Sequence, residues 1–220
     1  MSETLNPAEG GAGTVRARRA REDILEVAIA EFAANGYAGA RVDEIAARTR
    51  TTKRMLYYYF GSKESLYLAV LERVYAQIRQ VERDIRVDEL SPQEALRTIA
   101  IATYDHHTTH ESFIKLVSIE NIHRAEHLSR SETILRENVT AVTLLKEVIE
   151  RGVRARLFRD DVDAVDVHMM ISAYAFFHVA NRHTFAAIFH RDMLAPDLQD
   201  EHRALIGDMI VATMTQRRPR

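Results

Sequence analysis

Between residues 51 and 63 the chain concentrates groups able to hold a phosphate or read a base. Thr51, Thr52, Lys53, Arg54, Tyr57 and Tyr58 fall within one short stretch, and Lys63 follows at the start of the next helix. Lys and Arg pair with guanine edges or phosphates, and hydroxyls reach phosphates. Histidine is the second reactive type, and all ten lie beyond residue 105. His106/His110 and His123/His127 are i, i+4 pairs, with Asp105, Glu120 and Glu126 near them, a spacing that could hold a divalent metal. Chance pairing in a chain with ten histidines is the plainer reading. No catalytic residue, metal site or cofactor is assigned. A third group, Tyr174, Phe177, His178, Asn181 and Arg182, lies in the middle of a long apolar helix. An aromatic wall with a few convergent polar groups suits a small organic ligand.

The elements that must position these groups are helices. The chain has 220 residues, 46% hydrophobic and 28% charged, with eight Gly and four Pro. Few breakers beside many Ala, Leu, Ile, Glu and Arg predict an all-α protein of about nine helices. The absence of Cys excludes disulfides, zinc fingers and thiolate chemistry. No 18-residue apolar run and no apolar leader occur, so a soluble, cytoplasmic protein without a membrane partner is expected. The net charge of −2 conceals an uneven distribution, since residues 16–63 carry ten basic groups against six acidic ones. That gives a net +4 segment, with Arg16, Arg18, Arg19 and Arg21 as a candidate basic arm.

Residues 1–15 show no periodicity and read as a disordered lead. Ile24, Leu25, Ala28, Ile29 and Phe32 then recur at helical spacing up to Asn35-Gly36. Val42, Ile45 and Ala46 mark a short second helix, and Thr52 can cap a third through Phe60. Two short helices joined by a tight turn form a helix-turn-helix, whose second helix fits the major groove. Ser62 opens a long helix over 62–87. Ser91-Pro92-Gln93-Glu94 is a capping-box start. Further helices are expected over 113–124, from Ser131 to Arg156, over 163–190 and from Pro196 to Gln216. The chain divides into a helix-turn-helix segment over 16–63, a helical body over 64–216 and a basic tail over 217–220.

The elements Phe32-Ala33-Ala34-Asn35-Gly36-Tyr37, Val42-Asp43-Glu44-Ile45-Ala46, and Thr52-Lys53 through Leu56-Tyr57-Tyr58-Tyr59-Phe60-Gly61-Ser62-Lys63-Glu64 occur in order. This run resembles the TetR family of bacterial repressors. Asn181-Arg182-His183-Thr184-Phe185 to Ile188-Phe189 resembles a C-terminal subtype that includes repressors of aromatic-acid catabolism. The resemblance implies a homodimer that binds a palindromic operator in double-stranded DNA and releases it when a small organic effector enters the C-terminal domain. It implies DNA binding for residues 16–63, and ligand binding and dimerisation for 64–216. By position it implies that Thr52 caps the recognition helix and that Lys53 and Arg54 face DNA. Tyr57 and Tyr58 would reach phosphates or bases, and Lys63 would hold a phosphate. Three positions depart from the family pattern. Arg50 stands where Gly is preferred in the turn, Thr51 replaces an apolar residue, and Arg41 replaces the Ser/Thr cap of the second helix while adding a phosphate-reaching cation.

For the effector, the sequence predicts a pocket between the helix at 113–124 and that at 163–190. Its lining is read as Phe113, Val117, Asn121, Tyr174 and His178 with Asn181, and His178 or Arg182 would hold the carboxylate of an acidic aromatic molecule. Apolar positions such as Met169, Phe185, Met209 and Ile210 make the last two long helices either monomer core or, as the resemblance implies, a four-helix interface with a symmetry mate. An activator, a corepressor-dependent regulator or a metal-dependent helical enzyme using the histidines are the alternatives.

Overall fold

The computed structural model describes the backbone of residues 7–215 and the side chains of 15–137 and 142–215. The first six residues and the basic tail lie outside the described residues. Ten α-helices and two short 3₁₀ segments are found among the described residues, and no strand. They divide into two compact units, Met1–Arg73 and Val74–Arg220.

In the first unit α1 spans Pro7–Gly39, α2 Val42–Arg48 and α3 Lys53–Phe60, and α4 begins at Lys63 and runs on to Asp84 in the second unit. Helix therefore reaches into the lead expected to be disordered; Pro7 fits a first turn, where its missing N–H is not needed. Gly36 takes φ 68°, ψ 175°, and interrupts α1 at the expected Asn35-Gly36 stop. Ile24, Ala28 and Phe32 of α1 bury against Ile45, Leu56 and Tyr67 as one apolar core. The Tyr67 ring lies 4.9 Å from Phe32 and 5.2 Å from Tyr37. This packing of the first turns of α4 puts the division at Arg73, beyond the expected boundary at residue 63.

The second unit continues with α5 (Pro92–Thr109), α6 (Glu111–Ile122), α7 (Glu132–Arg154), α8 (Ala164–Ala180), α9 (Arg182–Phe189) and α10 (Pro196–Thr215). Helix α5 is central and packs on α7, α8 and α10. Its start is the expected capping box: Ser91 Oγ accepts from the Glu94 amide, and the Glu94 carboxylate accepts from the Ser91 amide at 3.1 Å. Leu96, Ala100, Val148, Val167, Ile206 and Ile210 form the core. One helix was expected over 163–190, but Asn181 takes φ −105°, ψ 7° and separates α8 from α9. The Arg182 guanidinium, clamped by the Asp192 carboxylate at 2.9 and 2.6 Å, fixes the start of α9.

Helices α2, α6 and α7 end in the same way. An amide reaches back five residues, from Thr51 to Ala46, Ala125 to Glu120 and Leu157 to Gly152. The residue before each donor is left-handed, and each time it is arginine: Arg50 (φ 53°), Arg124 (φ 59°) and Arg156 (φ 58°). Glycine is the usual occupant of that position.

Candidate nucleic-acid interface and ligand site

The helix-turn-helix is held from inside by Ile45, Ala46 and Leu56, at 0%, 5% and 0% exposure. The Thr52 hydroxyl accepts from the Met55 amide at 3.2 Å, so the expected cap of α3 is formed. Thr49 Oγ1 donates to the Ile45 carbonyl at 2.8 Å and tightens the corner. Arg50 keeps the left-handed conformation, which disfavours a side chain by roughly 1 kcal/mol. Arg41 sits before α2 in extended conformation and gives it no side-chain cap.

Glu31 of α1 supplies what Arg41 lacks. Its buried carboxylate accepts from the Arg41 backbone amide at 3.1 Å and from Asn35 Nδ2 at 3.0 Å, and Arg48 Nη1 lies 3.7 Å away. Sequence reasoning missed Glu31, because its partner lies across a turn rather than at a capping spacing.

With Leu56 and Phe60 buried, α3 turns Lys53, Arg54, Tyr57 and Tyr58 to the outside, and Tyr58 is 78% exposed. Tyr59 is half-buried and packs edge-on against Tyr58 at 5.5 Å. Lys53 Nζ lies 3.2 Å from the Asp43 carboxylate, an exposed pair that a phosphate could replace at little cost. Arg54 forms no ion pair with a described residue. Lys63 Nζ donates to the Ala38 carbonyl at 3.3 Å and lies 5.0 Å from the centre of the Tyr37 ring. An ammonium has three donors, so this leaves capacity for a phosphate. Arg16, Arg18 and Arg19 are exposed on α1, and the Arg21 guanidinium covers the Phe60 ring at 5.0 Å.

The seven residues read as a ligand pocket are not brought to one place. Tyr174 and His178 line an open cavity of about 690 Å³ between α8, α9 and α10, with Phe177, His202, Leu205 and Met209. His178 Nδ1 meets the Tyr174 carbonyl at 2.8 Å. Burial, with His202 beside it, holds His178 below the usual histidine range, in the neutral form. The imidazole proton therefore sits on Nδ1, and Nε2 is left as an acceptor, unsuited to a carboxylate. Arg182 is engaged by Asp192. Asn181 joins α8 to α9, and Asn121 is exposed, donating to the Val117 carbonyl.

Phe113 belongs elsewhere, standing edge-on to Tyr75, His106 and His107 at 5.3–5.4 Å. The two histidine pairs also part ways. His106 and His110 stack face to face at 4.3 Å, whereas His123 is exposed and His127 is buried 3.3 Å from the Glu120 carboxylate. Among the described residues no group of three or more His, Asp or Glu is placed to hold a metal.

A capped, outward-facing basic helix on a three-helix head, joined to an all-helical body, defines a helix-turn-helix regulatory protein. Residues 24–70 match the family model for bacterial regulatory proteins, tetR family, and residues 92–210 match the tetracyclin repressor-like C-terminal domain. The chain belongs to the TetR family. It is 33% identical to the HTH-type transcriptional repressor NicS of Pseudomonas putida, over 90% of this chain and 94% of that one. The repressor KstR2 of Mycobacterium tuberculosis is 27% identical over 73% of this chain and 78% of its own length. Among solved structures, the putative transcriptional regulator SCO4942 of Streptomyces coelicolor superposes with a TM-score of 0.68 at 25% identity, covering 90% of this chain and 99% of that one. No helix among the described residues is long and apolar enough to cross a membrane.

Proposed function

We propose that this protein is a transcriptional repressor that binds a palindromic operator as a homodimer and is released by a small organic effector, an aromatic acid being the first candidate. The observation that carries the reading is the Thr52-capped helix α3, with Leu56 and Phe60 inward and Lys53, Arg54, Tyr57 and Tyr58 outward. The named repressors NicS and KstR2 support it.

Dimerisation is read from the outer face of α8 and α10. Met169 is 60%, Phe177 45% and Leu205 50% exposed, and Met209 lies on the same open cavity as the last two. Apolar exposure of this extent favours cover by a second copy. Ile210 is fully buried within the single chain, so Met209 is the interface residue of the two.

Enrichment from random duplex oligonucleotides tests the reading: a palindrome is expected, and none overturns it. Arg54→Ala should relax sequence preference, at about 1–3 kcal/mol for a base contact. Lys63→Ala should instead weaken all sequences alike and lower the salt slope by roughly one. Met209→Glu should shift the protein toward monomer in ultracentrifugation. Ligand titration of the operator complex separates repressor from activator or corepressor-dependent regulator by its sign.

A further inference from the structure

The cavity at α8–α10 holds two imidazoles whose Nδ1 atoms are tied down and whose Nε2 atoms are not. His178 and His202 are each 7% exposed, and their ring centres lie 4.6 Å apart with 68° between the planes. His178 Nδ1 donates to the Tyr174 carbonyl at 2.8 Å, and His202 Nδ1 lies 3.5 Å from the Tyr104 hydroxyl. The second nitrogen of each ring, Nε2, forms no hydrogen bond with a described residue. A histidine that ligates a metal almost always has its other ring nitrogen held by a carbonyl or a similar group, which fixes the ring and its tautomer. Both rings have that support. Burial keeps His178 neutral, so no proton need leave before its lone pair is used.

We infer that His178 and His202 form the nitrogen half of a site for a soft monovalent cation, Cu(I), completed by thioether sulfur from the same cavity. Ring centres 4.6 Å apart suit two metal–nitrogen bonds of about 2 Å to one ion. The remaining donors decide the metal. Glu201 lines the cavity, yet no His, Asp or Glu among the described residues is placed to join the pair as a third ligand. Three methionines line it as well, Met170, Met193 and Met209, and Met193 is buried. Thioether sulfur is soft and polarizable, and beside imidazole it selects Cu(I). Harder divalent ions take carboxylate, carbonyl or water instead. The chain has no Cys to supply a thiolate for Zn(II). The imidazoles and thioethers are neutral, and buried charge without a counter-charge is costly, which favours one positive charge over two.

All of these ligands come from one chain. Any effect of the ion on operator binding or dimerisation rests on the repressor reading; the site itself does not. The test uses the full-length, DNA-free protein and cuprous ion, offered without oxygen as its coloured bicinchoninate complex. The protein should take up about one Cu(I) per chain and bleach the complex. His178→Gln and His202→Gln should each weaken uptake by at least about tenfold, no less than the loss of an outer-shell partner. His110→Gln, outside the cavity, should leave it unchanged. Changing Met170, Met193 and Met209 together to Leu, which nearly conserves volume, should weaken it by a similar factor. Zn(II) at equal concentration should not displace the Cu(I). X-ray absorption at the copper edge of the unaltered protein should show nitrogen and sulfur neighbours, and it decides alone if a variant does not fold. No uptake of Cu(I), uptake undiminished in the cavity variants, an equal loss in His110→Gln, displacement by Zn(II), or a copper shell without sulfur overturns the proposal. Operator binding by the metal-free protein is a separate measurement, and its failure would strike the repressor reading instead.

Discussion

The two units treat charge in opposite ways. The first keeps its cations outside, with Lys53 and Arg54 exposed on a helix whose apolar side does the packing. The second takes Arg79, His106 and His107 inside and leaves several of their polar atoms unpaired. An exposed cation is solvated whether or not its target is present, so the surface proposed to face DNA needs no preparation. A buried one is already stripped of water, and it gains strongly from any group that completes its hydrogen bonds. Under the proposed function, the head would meet its partner by collision, and the body would respond to what enters it.

Acid should break this contrast most visibly. His106 and His107 titrate at about 3 and 4 in the folded chain against an ordinary 6.5. Between those values the unfolded chain binds protons that the folded one refuses. Their neutral burial is therefore without penalty above pH 6.5, and stability is lost as pH falls from there toward 4. The loss is up to about 1.4 kcal/mol per pH unit for each histidine. Denaturant melts at stepped pH should show it, and His106→Gln should flatten the slope. A flat profile in the unaltered protein would mean that these imidazoles are hydrated after all.

A core truncation in the head comes next. Leu56 is fully buried between α3 and the rest of its unit. Leu56→Ala should lower stability by about 2–5 kcal/mol and remove operator binding, while the acid slope set by the body stays unchanged. Chemical denaturation followed at several pH values separates the two effects. The smallest expected effect has the opposite sign. Arg50→Gly relieves a left-handed arginine and should stabilise the head by up to ~1 kcal/mol, read as a raised denaturant midpoint.

These regions also differ in how far the sequence discloses them. The head is written in local spacing. Thr52 precedes its helix, Leu56 and Phe60 repeat at helical intervals, and Gly36 and Gly61 fall where φ is positive. Each of these facts lies within a few residues of its partner. The buried cluster draws Tyr75 and Arg79 from α4, His106 and His107 from α5, Phe113 from α6 and His168 from α8. No window of sequence contains it, so Phe113 and His106 were found as candidates for different sites, and Tyr75, Arg79, His107 and His168 were not. The i, i+4 pattern correctly brought His106 onto His110, yet it could not tell that only one of them is buried. The division of 163–190 into α8 and α9 escaped for a different reason. Asn181 bends the chain without a glycine or proline to announce it, and the Asp192 clamp on Arg182 comes from ten residues further along.

The carboxylate of Glu31 on the Arg41 amide has a dynamic consequence. A cap carried by the preceding residue belongs to its own helix, and the helix end can fray alone. Here the cap reaches across from α1, so opening the first turn of α2 also strips a buried carboxylate of its donors, Arg41 and Asn35. Local fraying becomes a joint event of two helices. The Arg41 amide should therefore exchange its hydrogen on the timescale of the whole head opening, rather than that of an ordinary helix end. Glu31→Gln, which keeps an oxygen acceptor and removes the charge, should slow that amide less than the parent residue does. Glu31→Ala should release it to exchange as a free terminus.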